Sequence, residues 1–316
     1  VADLLVLAKK AGQGLTSLPA DEQALEAKAR RSVESFERDE PHPDDYFLLV
    51  MEDTQKGKVV GTAAVYGQTG TRQAFYAYRI MSVTHHSHSL DKQVRSEVLH
   101  LSNDYTDCAE VGTLFLDPDY RGNGHWLSRS RYLLMAKFPK RFQPNVIAEM
   151  RGWVDDQGVS PFWEAIGRQF FEMSFAEADH LCGIGSNLFI TELMPKYPIY
   201  TCLLPKEARD VIGKPHDETV RAVELLENEG FEYEKMVDIF DGGPLLRAKI
   251  KHLKSVRDLQ RKQAKAASAS DLPKKALVAY GAMNNFRVRF TSVDVEDQSI
   301  LLSPDDLALL QASENA

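Results

Sequence analysis

The sequence predicts an α/β protein of the α+β type, a mixed central sheet flanked by helices and followed by a small β-rich C-terminal module. Three observations carry this. Thr113–Ser130 reads as the end of a buried strand, a glycine turn and the start of a helix. Upstream of it lie a helix, a hairpin and a third strand-like run. Downstream, residues 251–271 turn basic and then alanine- and serine-rich, and short alternating segments follow. The division this suggests is a main domain over 1–250, and a linker with a small module over 251–316.

Taken in order, Val1–Ala11 has the character of a helix end, closed by Gly12-Gln13-Gly14. Leu15–Pro19 is a turn, and Leu25, Ala29, Val33 and Phe36 then recur at helical spacing. Tyr46–Glu52 and Lys58–Tyr66 form strands joined by Asp53–Gly57, and Ala74–Val83 is a third, aromatic strand. In Thr113–Ser130, Leu114-Phe115-Leu116 end a strand that Asp117-Pro118-Asp119 breaks, because proline fixes its own φ and disfavours helix before it. Trp126, Leu127, Leu133, Leu134 and Phe138 then share a helix face. Asn145–Gly152 is a strand, and Ser160-Pro161 opens a helix with a capping hydroxyl and a first-turn proline. Trp163, Ile166, Phe170 and Met173 make its core stripe. Asp217–Gly230 is a helix with Asp217 as N-cap and Gly230 at its end, running into the strand Phe231–Phe240. Residues 251–271 read as a helix passing into a linker. Ala276–Tyr280, Phe286–Phe290 and Ser299–Leu302, with a helix opened by Ser303-Pro304, make the last module, which is too small to bury a core easily by itself.

The glycine turn is the chemical centre of this pattern. Arg121-Gly122-Asn123-Gly124 aims unpaired backbone N–H groups at one point, at the positive end of a helix dipole. Two closely spaced glycines let a bulky anion approach the main chain, which suits a pyrophosphate. The run matches neither G-x-x-x-x-G-K-[ST] nor G-x-G-x-x-G.

A net charge of −8 over 316 residues argues against nucleic acid or an anionic membrane as the main partner and suits a cationic small substrate. Cys108, Cys182 and Cys202 are odd in number and widely spaced, which predicts reduced thiols and a cytoplasmic setting rather than a disulfide frame or zinc site. No apolar run reaches membrane-spanning length. Val1 in place of Met predicts that a short N-terminal piece is missing.

Among chemistry-bearing residues, His85, His86 and His88 are the densest histidine cluster. They lack accompanying Cys or carboxylate spacing, so no metal is expected there. No nucleophile elbow or catalytic cysteine setting is present, which leaves a covalent mechanism without support. His216 sits in Gly213-Lys214-Pro215-His216-Asp217, immediately before a helix N-terminus, where the dipole favours a neutral imidazole available as a base. Glu149, Glu192, Asp238 and Asp241 are candidate partners for a cationic substrate.

Arg121 and Gly124 after a strand resemble the acyl-CoA loop of the GCN5-related N-acyltransferase superfamily, although Trp126 stands where that loop carries a small residue. The element order, and Phe162-Trp163-Glu164-Ala165-Ile166-Gly167, resemble the same superfamily. A closer resemblance spans nearly the whole chain. Gly14–Pro19, Thr113–Leu116, Ser160–Phe171, Glu192–Tyr200, Ile212–His216 and Val237–Pro244 are together similar to the bacterial arginine N-succinyltransferases. The resemblance implies transfer of succinyl from succinyl-CoA to the α-amino group of L-arginine, the first step of arginine degradation by the succinyl route. It implies His216 as the proton-transfer residue and contact of Leu114 with succinyl-CoA. Phe115 at the strand end and Arg121, Gly122 and Gly124 of the glycine turn are expected to bind the CoA thioester, with no permanently bound cofactor and no metal. An oligomer is expected, of this chain alone or with a paralogous chain, and both termini are expected to be shorter than in a full-length member.

Aminolysis of a thioester needs a neutral amine, a polarised carbonyl and a protonated leaving thiolate. Backbone N–H groups at the end of Leu114–Phe115 are placed to hold the carbonyl. Two other readings stay open on sequence alone: an acyltransferase for another acyl group or basic amino acid such as ornithine, and a non-catalytic acyl-CoA-binding subunit.

Overall fold

The computed structural model describes residues 1–12, 15–71, 74–183, 188–268 and 272–313, without the side chains of Asp179, His180, Cys182 and Gly183. Gly14, the Cys182 thiol and Asp271 therefore lie outside the described residues. Helices α1 (Ala2–Ala11) and α2 (Glu22–Glu37) lead into the hairpin of β1 (Tyr46–Asp53) and β2 (Lys58–Tyr66). Asp21 caps α2, accepting a hydrogen bond from the Ala24 N–H. Two buried serines of α2 reach sideways: Ser35 Oγ and Ser32 Oγ accept from the Tyr46 and Leu48 N–H groups at 3.0 and 2.9 Å. They satisfy part of the outer edge of β1, which would otherwise be free to pair with another chain.

The third strand is longer than expected. Ala77–Ser87 (β3) pairs along its whole length with β4 (Lys92–Ser102), a strand the sequence reading did not separate. Then come β5 (Ala109–Leu116), α3 (Gly124–Lys137) and β6 (Asn145–Glu149). The helix expected over Phe162–Phe171 is two short ones, α4 (Pro161–Ala165) and α5 (Gly167–Phe171). They part at Ile166 because Gly167 packs onto the Trp163 ring, where a Cβ would stand 2.2 Å from a ring carbon. Helices α6 (Phe175–Gly183) and α7 (Leu188–Leu193), the two-residue β7 (Ile199–Tyr200) and α8 (Lys206–Arg209) follow. Then come α9 (Val220–Glu229), β8 (Glu232–Val237), β9 (Pro244–Lys249) and the single turn α10 (Lys254–Arg257).

Nine strands form one sheet in the order β1-β2-β5-β6-β9-β8-β3-β4-β7. Every neighbouring pair is antiparallel except β5–β6, which is parallel and joined at only two positions, Ala109↔Val146 and Glu110↔Ile147. A core of Phe47, Val65, Val111, Leu134, Met135 and Val146 seats α3 on one face of the sheet. The helix and linker expected over 251–271 give way to α10 and a strand, β10 (Gln263–Ala266). That strand joins β11 (Lys274–Tyr280), β12 (Arg287–Val295) and β13 (Ser299–Leu302) in a four-stranded sheet, with α11 (Pro304–Leu310) packed on it. No helix among the described residues is long and apolar enough to cross a membrane.

Candidate active site

The site follows from how β5 and β6 part. Beyond Glu110, β5 keeps its partner β2 on one side and loses β6 on the other. A bulge sets in where Ala64↔Gly112 gives way to Thr62↔Phe115, and Thr113 is held at a positive φ of 50° that a β-branched residue rarely adopts. Thr62 Oγ1 donates to the Thr113 carbonyl at 2.9 Å and fixes the distortion. The Leu114–Leu116 segment is thereby left with an open main-chain edge toward the gap. Leu114 is half-buried and not part of the core, and Phe115 packs against the α1 cluster.

The glycine turn lies just past that edge and is firmly anchored. Asp117 accepts hydrogen bonds from Lys10 Nζ at 2.6 Å and from the Asp119 N–H, and the Lys10 bond holds its carboxyl below the usual range. Tyr120 Oη donates to Asp53 at 2.6 Å. Gly122 has a φ of 97°, a conformation that requires glycine, and neither it nor Gly124 has any atom within 4 Å of where a Cβ would stand. Gly124 begins α3, and Asn123 before it makes no side-chain cap; its carbonyl takes the Trp126 N–H at 3.0 Å, which leaves the Gly124 and His125 N–H groups for partners from outside the helix. Arg121 is exposed at the turn. Burial and the nearby Arg129 and Arg221 lower the proton affinity of His125, a mark of positive charge around this turn. Trp126 belongs to neither the turn nor the core. It stacks on Phe290 of the C-terminal module at 3.8 Å between ring centroids.

His216 stands on the opposite bank, beyond the C-terminal end of β6. Its N–H donates to the Arg151 carbonyl at 2.8 Å, Pro215 bridges to Gly152, and the Gly213 N–H donates to the Gly242 carbonyl at 2.8 Å. Asp241 ties these together, accepting from the N–H groups of Gly152 at 2.6 Å and Gly243 at 2.8 Å. His216, not Asp217, is the cap of the helical segment: its Nδ1 accepts from the Glu218 N–H at 3.3 Å. A 3-10 turn, Asp217–Thr219, precedes α9, whose end is Gly230 at φ 112° as expected. With Nδ1 occupied, Nε2 is the ring atom available to a ligand. The ring is 18% exposed, on a groove of about 520 Å³ that Arg151, Trp153, Asp155 and Gln157 also line.

Acidic groups gather where β5 and β6 part. Glu110, missed in the sequence because a lone glutamate in a strand gives no signal, has its carboxyl over Gly112, on the side where the Tyr66 ring also lies. Burial pushes it up to about 7, with Lys28 pulling the other way. Glu149, at the end of β6, is exposed to solvent, although protein surrounds it on several sides. Burial, Glu110, Asp238 and Asp241 hold its carboxyl well above the ordinary range. Asp238 is pushed up to about 8 by burial and then by Asp241, and its Oδ1 accepts from the Phe240 and Asp241 N–H groups. Burial raises Asp241 as well, and both carboxylates of this pair hold backbone N–H groups of the loop. Glu192 is exposed on α7 and is not among these groups. His85 and His86 are exposed at the end of β3 with His88 in the turn beyond.

Comparison with known proteins gives the chain's family and fold. The model of the arginine N-succinyltransferase beta subunit family matches residues 1–255. Proteins named arginine N-succinyltransferase from Escherichia coli strains 55989 and K12 / DH10B are each 41% identical over 315 residues, 98% of this chain and 91% of theirs. A solved structure titled arginine/ornithine succinyltransferase subunit AI, from Pseudomonas aeruginosa, superposes with a TM-score of 0.89 at 31% identity, covering 100% of this chain and 93% of its own. With a match over nearly its full length in sequence and in fold, this chain belongs to the arginine N-succinyltransferase family.

Proposed function

We propose that the chain transfers succinyl from succinyl-CoA to the α-amino group of L-arginine, releasing CoA and N2-succinylarginine. The observation that carries this, beside family membership, is the parting of β5 from β6 next to the uncapped start of α3. A strand edge with free main-chain groups can take an extended pantetheine arm, and the adjoining glycine turn can take its phosphates. In this reading Arg121, Gly122 and Gly124 hold the CoA phosphates, and the Leu114–Phe115 main chain holds the thioester carbonyl. No permanently bound cofactor or metal enters the reaction.

The amine nitrogen attacks the thioester carbonyl carbon, the C–S bond breaks, and CoA leaves as a thiol. The ammonium gives up two protons on the way to the amide, of which one goes to the thiolate and one to solvent. Holding amine and thioester together supplies much of the acceleration. His216 is the proton-transfer residue of the proposal and Nε2 the atom that exchanges. While Nδ1 accepts the Glu218 N–H, the neutral ring carries its proton on Nε2. It therefore meets the reacting centre as a donor, and must release the Glu218 N–H to take a proton from the amine.

Residues 1–250 carry this chemistry in our reading, and the module within 251–316 packs on α3 through Trp126. The relative from Pseudomonas aeruginosa is titled a subunit and names ornithine as well as arginine. A second acceptor and an assembly, homomeric or with a paralogous chain, belong to the proposal on that ground, as does a cytoplasmic location. Continuous measurement of CoA release with succinyl-CoA and a panel of arginine, ornithine and lysine tests it. Turnover with arginine is expected, and absence of turnover by the chain alone and with a paralogous subunit would overturn it.

A further inference from the structure

On the sheet face opposite α3, one cross-strand row runs Tyr46 (β1), Tyr66 (β2) and Glu110 (β5). The rings of Tyr46 and Tyr66 lie 4.8 Å apart, and Lys28 of α2 places its Nζ 5.3 Å from the centre of the Tyr46 ring. Tyr46 Oη and Thr113 Oγ1, on residues 1% and 2% exposed, face each other and Tyr66 without closing a well-formed hydrogen bond. Buried hydroxyls without partners are uncommon, because each forfeits a hydrogen bond it would make in water. Both lie beside the bulge that re-aims the Leu114 main chain. At the other end, where β6 begins to diverge, Glu110 and Glu149 make no hydrogen bond or ion pair among the described residues. This face therefore carries hydroxyls and a cation toward β1 and carboxylates without hydrogen bonds toward β6. From β1 to β5 is two strand spacings, about 10 Å.

We infer that this face, beside the gap between β5 and β6, opens as a crevice that is the acceptor subsite, with Lys28, Tyr46 and Thr113 holding the α-carboxylate of L-arginine and Glu110 and Glu149 gripping its guanidinium. The inference rests on the proposed reaction and adds to it the residues that choose the amine. With the carboxylate beside Thr113, the α-amino group falls next to the Leu114 main chain, where the thioester carbonyl belongs. Two carboxylates without hydrogen bonds of their own gain a planar cation able to meet both with paired N–H groups. Asp238 and Asp241 take no part, since their oxygens serve the turn between β8 and β9.

The test uses the full chain and reads each end of the amine separately. Glu110→Gln and Glu149→Gln should each lower kcat/KM for arginine by about tenfold to hundredfold, the range for losing a hydrogen bond to a charged group, while KM for succinyl-CoA stays put. Citrulline, which replaces the guanidinium with a neutral ureido group, should be discriminated against by the wild type and far less by Glu149→Gln. Agmatine, which lacks the carboxylate, should be indifferent to Lys28→Met, whereas arginine should not. Retention of the full arginine-over-citrulline preference in both glutamine variants would overturn the assignment. So would a rise in KM for succinyl-CoA instead of arginine, which would put these groups on the acyl side. Wild-type turnover is measured first; if it is absent, the reaction fails, and calorimetric arginine binding to wild type and Glu149→Gln then decides the crevice separately. Equal affinity in the two would overturn it.

Discussion

Asp241 offers the sharpest perturbation, because one carboxylate holds the loop that carries His216. Asp241→Ala removes two bonds of 2.6 and 2.8 Å and leaves the Gly152 and Gly243 N–H groups buried without acceptors. At about 1.5–3 kcal/mol for each bond to a charged group, the gross loss is about 3–6 kcal/mol. Part of this returns, because burial itself opposes the Asp241 charge. A net loss of about 3 kcal/mol corresponds to a fall in Tm of about 6–12 °C for a domain of this size. Asp241→Asn keeps one acceptor oxygen but turns an NH2 toward one of the two donors, so it should lose roughly half as much. In both variants kcat should fall more than KM for succinyl-CoA rises, because Gly152 pairs with Pro215 beside the proton-transfer residue and the phosphate turn is elsewhere. Differential scanning calorimetry with steady-state kinetics measures both. A Tm within about 2 °C of wild type for Asp241→Ala would refute the reasoning, since no net stabilisation could then be ascribed to the two bonds. Gly152→Ala is an independent check, because its Cβ would meet the Asp241 carbonyl oxygen at 2.5 Å.

Gly124→Val should raise KM for succinyl-CoA with little change in Tm, since nothing lies within 4 Å of its Cβ position, whereas Gly122→Ala should cost about 1–3 kcal/mol from its φ of 97°; unchanged thioester KM in Gly124→Val would remove the turn from the site. His216→Ala and His216→Gln should each lower kcat by about 10²–10⁴-fold, and a glutamine variant with near-normal kcat would reduce His216 to a positioning residue. A double-mutant cycle on Trp126→Ala and Phe290→Ala should give a coupling of about 0.5–1.5 kcal/mol by denaturant unfolding, and zero coupling would mean the stack does not hold the module. For pH, Glu110 binds its proton more tightly folded than unfolded, so stability falls as pH rises from about 4.5 to about 7, and Glu110→Gln should flatten that part of the Tm–pH curve; parallel curves would contradict it.

Local chemistry was legible in the chain wherever a residue acts on its own neighbours. Ser160 caps α4, Ser303 caps α11 and Gly230 ends α9 because a hydroxyl or a missing Cβ satisfies a nearby backbone group. The strand, glycine turn and helix around Arg121–Gly124 were legible for the same reason. The aromatic stripe beyond Ser160 misled in part, because the break at Ile166 rotates the following residues: Phe171 is buried and Phe170 is 42% exposed. Ser32, Ser35 and Glu110 gave no signal, since their partners lie on other strands and only the finished sheet brings them together. Asp238 and Asp241 were both candidates as acids. Both hold backbone N–H groups instead, Asp238 those of Phe240 and Asp241, and Asp241 those of two glycines, one of them far away in the sequence.

The position of the β3–β4 hairpin bears on how the chain reaches this fold. The hairpin lies between β2 and β5 in the sequence, yet in the sheet it pairs on its far side with β8, through Tyr78↔Val237 and Arg79↔Met236. As the chain leaves the ribosome, β1, β2 and β5 can pair early, and the hairpin can close on itself early. It has no sheet to join until β8 and β9 have emerged and bridged it to β6. Contacts of such long sequence separation slow folding and leave strand edges exposed in the interval. The half-built sheet, with β6 unpaired on its β9 side, is the species that chaperones would meet, and the stage at which a truncated chain would aggregate.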